Sequence, residues 1–174
     1  EAAARLARLD PTDEAGQEAL RETRRVIDRQ RFLALKAKGA ARLGTGEVEE
    51  ALRLLGEAEG LGDARREPVD LLQLLCNKTA ALTRLNDHNS VLRECNRALR
   101  LLEGVEGELF DAGRRQLAGE LRVREAHLRL RLRRAHALSQ LGMPLAAREE
   151  LGRLLGAFPD CGEARAMLDA LGGA

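Results

Sequence analysis

Three stretches of this chain, 32–58, 72–99 and 128–155, each read as two helical runs broken by a short turn, and small residues recur at matching places within them. Ala51 and Ala58 stand seven apart in the first stretch; Ala98 takes the place of Ala58 in the second, and Ala147 that of Ala51 in the third. A side chain no larger than a methyl group at such places lets two helices approach closely. Helical hairpins repeated along a chain bury a continuous core by stacking on one another. The composition agrees. Ala, Leu, Arg and Glu dominate, and all are good helix formers. Strands favour aromatic and β-branched residues, yet the chain has no Trp, no Tyr and only 3 Phe. The pattern predicts an all-α, helix-hairpin repeat solenoid: three repeats, an extended N-terminal helix and a C-terminal capping helix.

Turn chemistry sets the expected boundaries. Pro11-Thr12-Asp13-Glu14 opens a helix that runs to Leu43, and Gly44-Thr45-Gly46 breaks it. The next helix spans Glu47 to Glu59. Pro68-Val69-Asp70 opens another, running to Leu85, and Asn86-Asp87-His88 reads as a turn. Asn89 or Ser90 then caps a helix to Leu102, with a weak break at Gly104 to Gly107. An arginine-rich helical stretch follows from Leu109 to Leu141, then Gly142-Met143-Pro144, a helix to Leu155, and a short last helix from Gly162 to Leu171. One segment speaks against a helix: His127 to His136, HLRLRLRRAH, alternates with the period of a strand. It contains no β-branched residue and lies inside a helical stretch, so it is read as helix. Leu128, Leu132 and Ala135 then pack on one side, Arg129 and Arg133 share another, and Leu130 is expected to touch a neighbouring element.

With 174 residues the chain is long enough to bury a real core, and 29 Lys+Arg against 28 Asp+Glu name no partner by bulk charge. No apolar run reaches the length of a membrane span and no secretory signal is present. The chain starts at Glu1 without Met and reads as a fragment of something longer. Cys76, Cys95 and Cys161 are odd in number and lack metal-ligand spacing, so they read as small core residues of a reducing compartment. His88 falls in a turn, and His127 and His136 are nine apart, off a common helix face. No catalytic constellation, cofactor site or metal site is expected. Eight arginines crowd positions 114–134. A solvated face with ion pairs such as Glu120 with Arg124 or Glu125 with Arg129 accounts for them. Binding of RNA or another polyanion is the weaker reading, because stacking aromatics are missing.

The segments LKAKGAARLGTGEVEEALRLLGEA, LCNKTAALTRLNDHNSVLRECNRAL and LRRAHALSQLGMPLAAREELGRLLGAFPD resemble the tetratricopeptide repeat family. Gly39, Ala51 and Ala58 stand at its small positions, and Pro159 ends the third repeat. The resemblance covers about residues 31–171. It implies an N-terminal helical extension over 1–30 and a repeat domain over 31–174. The family's first-helix aromatic is replaced by Arg42, Leu82 and Leu138. Phe32 to Leu72 is 40 residues and Leu72 to Leu128 is 56. The second step is about twenty residues beyond a repeat of roughly 34, which implies a lengthened connection near 103–127 that extends the two helices flanking it.

A finer resemblance is to the chaperone-binding members, which hold the free carboxylates of a heat-shock chaperone's acidic C-terminal tail with five residues on the first helices of three repeats. The matching positions here are Lys36, Ala40, Asn77, Arg129 and Arg133. Four keep suitable chemistry; Ala40 has no donor for the main-chain carboxylate. Read singly, Lys36 is a solvated helix residue, and Asn77 in an apolar helix either bonds a neighbouring helix or faces a ligand. The layout also resembles the C-terminal repeats of axonemal dynein assembly factors. The implied function is a non-enzymatic chaperone adaptor, monomeric in isolation and located in the cytoplasm, including that of ciliated cells, or in the axoneme. The alternative is a scaffold subunit of a larger assembly, a ciliary one included, that binds an internal peptide. Other protein partners fit either reading. Leu20, Val26 and Ile27 form an apolar stripe expected to pack on the first repeat or on a partner.

Overall fold

The structure, a computed structural model, describes residues 14–61, 68–111 and 117–172, with side chains described outside 104–122. These residues form seven α-helices and no strand: α1 (Glu14–Thr45), α2 (Val48–Gly60), α3 (Pro68–Arg84), α4 (His88–Asp111), α5 (Leu117–Gln140), α6 (Pro144–Ala157) and α7 (Gly162–Gly172). The expected start at Pro11-Thr12-Asp13 and the turn at Gly62-Asp63 lie outside the described residues.

Helices α1/α2, α3/α4 and α5/α6 are hairpins closed by the same turn. Gly46, Asn86 and Gly142 have φ of 86°, 57° and 72°. In each, the amide of the left-handed residue donates to the carbonyl three back, and the next amide to the carbonyl five back: Glu47 to Arg42 at 3.0 Å, Asp87 to Leu82 at 3.1 Å and Met143 to Leu138 at 3.0 Å. This pairing satisfies carbonyls that a helix end leaves unbonded, and it requires the left-handed backbone that glycine and asparagine tolerate. The turns fall at 46, 86 and 142, so their steps of 40 and 56 match those of the hairpins. The structure places Ala51, Val91 and Ala147 at the same point after each turn, all buried.

Close helix approach follows from small residues. A methyl group at Gly39 would lie 2.8 Å from Leu55 Cγ and 3.3 Å from the Ala51 carbonyl oxygen, so α1 and α2 touch there through glycine alone. Thr79 and Ala135 occupy the matching places and are fully buried. Each helix packs on its successor within the hairpins and between them, and α3 also packs on α1 and α5 directly. The main core runs from Phe32 through Leu72, Leu75 and Leu102 to Leu130; a second joins Ala135, Leu151 and Leu154 to α7.

The alternating run is helical, and its period has a physical cause. Leu130 faces the main core, while Leu128 and Leu132 pack with Ala135 in the second core. Helix α5 is buried on two sides, between α3 and α4 on one hand and α6 on the other, so apolar residues cannot keep to one stripe. Three boundaries differ from expectation. Helix α4 does not break at Gly104 to Gly107 but continues to Asp111. Its cap is Asp87, whose Oδ1 accepts from the Ser90 amide at 3.1 Å, not Asn89 or Ser90. Hydrogen bonding from the Ser90 side chain, with that amide bond behind it, holds the Asp87 carboxyl below its usual range. His88 is thus the first helical residue, and its ring meets that of His136 edge to face at 5.8 Å. Helices α4 and α5 are 24 residues each, which takes up the surplus length between the second and third hairpins.

Buried ion pairs tie the hairpins. Lys78 Nζ lies 2.8 Å from Glu59 Oε2 and 3.1 Å from Glu94 Oε1. In the third hairpin Arg131 donates to Glu150 Oε1 at 2.9 Å, and Arg134 stands 3.6 Å from its other oxygen. Lys78 with Glu94 and Arg134 with Glu150 are equivalent pairs. Burial acts to raise the Glu59 carboxyl, but hydrogen bonds from Lys78 and Arg97 outweigh it and hold it below 4.5. A carboxyl depressed on folding stabilises above its unfolded value and loses that contribution as pH falls through its folded value.

Two outcomes check this account. Gly39→Ala should overpack the α1/α2 contact and cost about 1–3 kcal/mol, seen as a lowered urea midpoint with an unchanged slope. Lys78→Met should cost about 1.5–3 kcal/mol at pH 7, and the gap to the parent should narrow as unfolding is repeated below pH 4.5.

Candidate functional site

Helices α1, α3 and α5 present polar side chains where they pack together. On α1, Lys36 is largely enclosed, with 11% of its side chain exposed. Its Nζ donates to Asp70 Oδ1 at 2.5 Å and to Gln73 Oε1 at 3.1 Å, both on α3. Arg29 stands 3.8 Å from the other Asp70 oxygen. The first two turns of α3 therefore supply an acid and an amide that hold the lysine. Asn77 follows Gln73 by one turn and is half-buried. No side-chain hydrogen bond ties Asn77 among the described residues. Ala40 is exposed on α1, one turn after Lys36.

From the other side, Arg133 of α5 reaches α3. Its Nη1 donates to the Cys76 carbonyl at 2.9 Å and to Thr79 Oγ1 at 3.1 Å. Both acceptors are neutral, and no carboxylate pairs with Arg133 among the described residues. Burial pulls its pKa down, and the charges of Arg129 and Arg84 add to that. A guanidinium nonetheless stays protonated in a protein. Arg133 is therefore a mostly enclosed cation with no counter-ion, an arrangement that costs desolvation free energy and that a bound anion would relieve.

Arg129, one turn earlier, is exposed and paired with Glu125. This is the intrahelical pair expected from the sequence. The Glu120 and Arg124 pair cannot be compared, because the Glu120 side chain lies outside the described residues, as do Arg114, Arg115 and the Arg122 side chain. Arg129 and Glu125 line a cleft of about 70 Å³ with Val69, Leu72, Gln73, Cys76 and Ala126. The cleft has an apolar floor and a charged rim. Cys76 beneath it has its thiol pushed up to about 11 by burial, and burial pushes Cys95 to about 12, so neither is a nucleophile at neutral pH.

The structure thus sets Lys36 and Asn77 with Gln73 between them, and Arg129 and Arg133 against the same helix from α5. It also adds two acids, of which sequence reasoning paired Glu125 with Arg129 and missed Asp70. Asp70 and Glu125 already neutralise Lys36 and Arg129. Glu125 was legible from its spacing of four. Asp70 was legible only as a helix-start residue, since nothing in the sequence says that α1 lies against it. Among the described residues no group of three or more potential ligands could hold a metal ion, and no helix is long and apolar enough to cross a membrane.

A stability measurement separates a ligand-binding Arg133 from a structural one. Its acceptors include a main-chain carbonyl within a helix, so Arg133→Met should change the unfolding free energy by less than about 1 kcal/mol. A loss above about 2 kcal/mol would mark it as a tie between α3 and α5.

Comparison of the chain with family models, with curated proteins and with solved structures gave no match, so the groove's own chemistry carries the functional reading.

Proposed function

We propose that this chain is a tetratricopeptide-type interaction module that docks the acidic C-terminal tail of a heat-shock chaperone in the groove formed by α1, α3 and α5. The observation that carries the reading is Arg133, an enclosed guanidinium satisfied only by neutral acceptors. A carboxylate arriving there gains a charge-assisted bond without displacing an acid. Asn77 offers an amide donor nearby on α3, and Arg129 can swing from the exposed Glu125 toward the ligand. The apolar cleft beside them suits a side chain next to the terminal acid. No catalytic role is assigned to any residue.

A second reading has its own observation. Lys36 is already held by Asp70, and Ala40 supplies no donor, so the α1 half of the groove is poor at reading a terminal main-chain carboxylate. A scaffold that binds an internal acidic segment needs only Arg133, Arg129 and the cleft. Losing one bond to a charged group costs about 1.5–3 kcal/mol, roughly ten- to a hundredfold in affinity.

Titration calorimetry with an acidic peptide, C-terminally free or amidated, decides between them. The adaptor reading expects the free acid to bind at least tenfold tighter, Arg133→Ala to cost about 2–5 kcal/mol, and Ala40→Asn to tighten binding. Arg153→Ala, on the exposed face of α6, should change nothing. Equal binding of both peptides, with Arg133→Ala still damaging, gives the internal segment. Equal losses from Arg133→Ala and Arg153→Ala would overturn both.

A further inference from the structure

Apart from the groove, α1 carries a second surface with no partner among the described residues. Phe32, Gly39 and Leu43 turn one side of this helix into the core. At 100° per residue, the sector of about 120° opposite them holds no charged residue from Ala15 to Thr45, in a chain of which 33% is charged. Val26 is 49% exposed and Ile27 55%, and Leu33, just beyond the sector's edge, is 36% exposed. Ala34, Ala37 and Ala41 continue the sector and are exposed as well. It therefore runs for about 45 Å, and of the two expectations for Val26 and Ile27, packing on the first hairpin or on a partner, their exposure leaves the partner. One edge bears Arg24, Arg31 and Lys38, each seven residues from the next, all exposed and without an ion pair among the described residues.

The charge along that edge selects the occupant. A seven-residue interval is the repeat at which residues flanking a helix–helix seam meet their counterparts. In an antiparallel pair of two copies the basic row would face itself. In a parallel pair it would lie against Val26 and Leu33 and meet no acid. Neither arrangement answers three like charges. The alanines favour a helix over a lipid surface, because small side chains permit close axial approach but give little apolar volume to insert. We propose that the outer face of α1 docks an amphipathic helix of another protein, whose apolar seam is flanked by acidic residues at intervals of seven. This surface is independent of the groove, so the two readings stand or fall separately.

The probe is a fluorescein-labelled helical peptide of four heptads with Leu and Ala at the seam and Glu at both flanks, together with a twin that has Lys for Glu. Fluorescence anisotropy should show the Glu peptide binding and the Lys peptide not binding. Ile27→Glu and Arg31→Glu should each weaken the Glu peptide by about tenfold, and Arg133→Ala should leave it unchanged. Both α1 substitutions are on an exposed face, and unchanged circular dichroism checks the fold. Equal affinity for the two peptides, or indifference to Ile27→Glu, would overturn the proposal. So would sedimentation velocity showing a dimer that Ile27→Glu dissolves, which assigns the face to a second copy. Co-sedimentation with phosphatidylserine vesicles in preference to the Glu peptide would assign it to a membrane, with the same consequence.

Discussion

Everything in this fold depends on one left-handed residue per hairpin. Gly46, Asn86 and Gly142 each reverse the chain within a few residues and let the last carbonyls of one helix be satisfied by the amides that begin the next. The reversal fixes which residues meet across the hairpin. Because Gly39 comes seven residues before Gly46, it falls opposite Ala51 and Leu55, and α1 and α2 can approach closely. Thr79 and Ala135 keep the same distance from their own turns. Helix α3 then lies against both α1 and α5.

That stacking explains both the stability and the peculiar electrostatics of the groove. Where an acid is at hand, the fold uses it: Lys78 with Glu59 and Glu94, Arg131 and Arg134 with Glu150, Lys36 with Asp70. Arg133 is left out. It sits on the side of α5 that faces α3, and there the nearest groups are a helix carbonyl and a threonine hydroxyl. Among the described residues Lys36, Lys78, Arg131 and Arg134 are enclosed and paired with acids, whereas Arg133 lies between two helices with neutral acceptors alone.

The sequence made the helices and their hairpins legible, because Gly and Pro punctuate them and small residues recur at a constant distance from the turns. It misjudged local detail where tertiary packing overrides propensity. Gly104 and Gly107 did not end α4, and Asp87 rather than Asn89 or Ser90 supplied the cap. Lys36, Asn77, Arg129 and Arg133 could be read one by one, but not all of their pairing could. The Glu125 and Arg129 contact is local and follows from helical spacing. The Lys36 and Asp70 contact joins residues 34 apart and depends on how α1 lies on α3. The equivalent buried pairs Lys78–Glu94 and Arg134–Glu150 were visible as a repeated interval of 16 residues, a signal easily lost among so many charges.

The central claim is that Arg133 reads a carboxylate. The most direct measurement follows arginine side-chain Nε–Hε resonances by NMR while an acidic peptide with a free C-terminus is added. The account predicts that the Arg133 resonance shifts first and saturates with the binding isotherm, that Arg129 follows, and that Arg131 and Arg134, held by Glu150, stay where they are. Uniform small shifts across all the arginines, or a stationary Arg133 while others move, would contradict it.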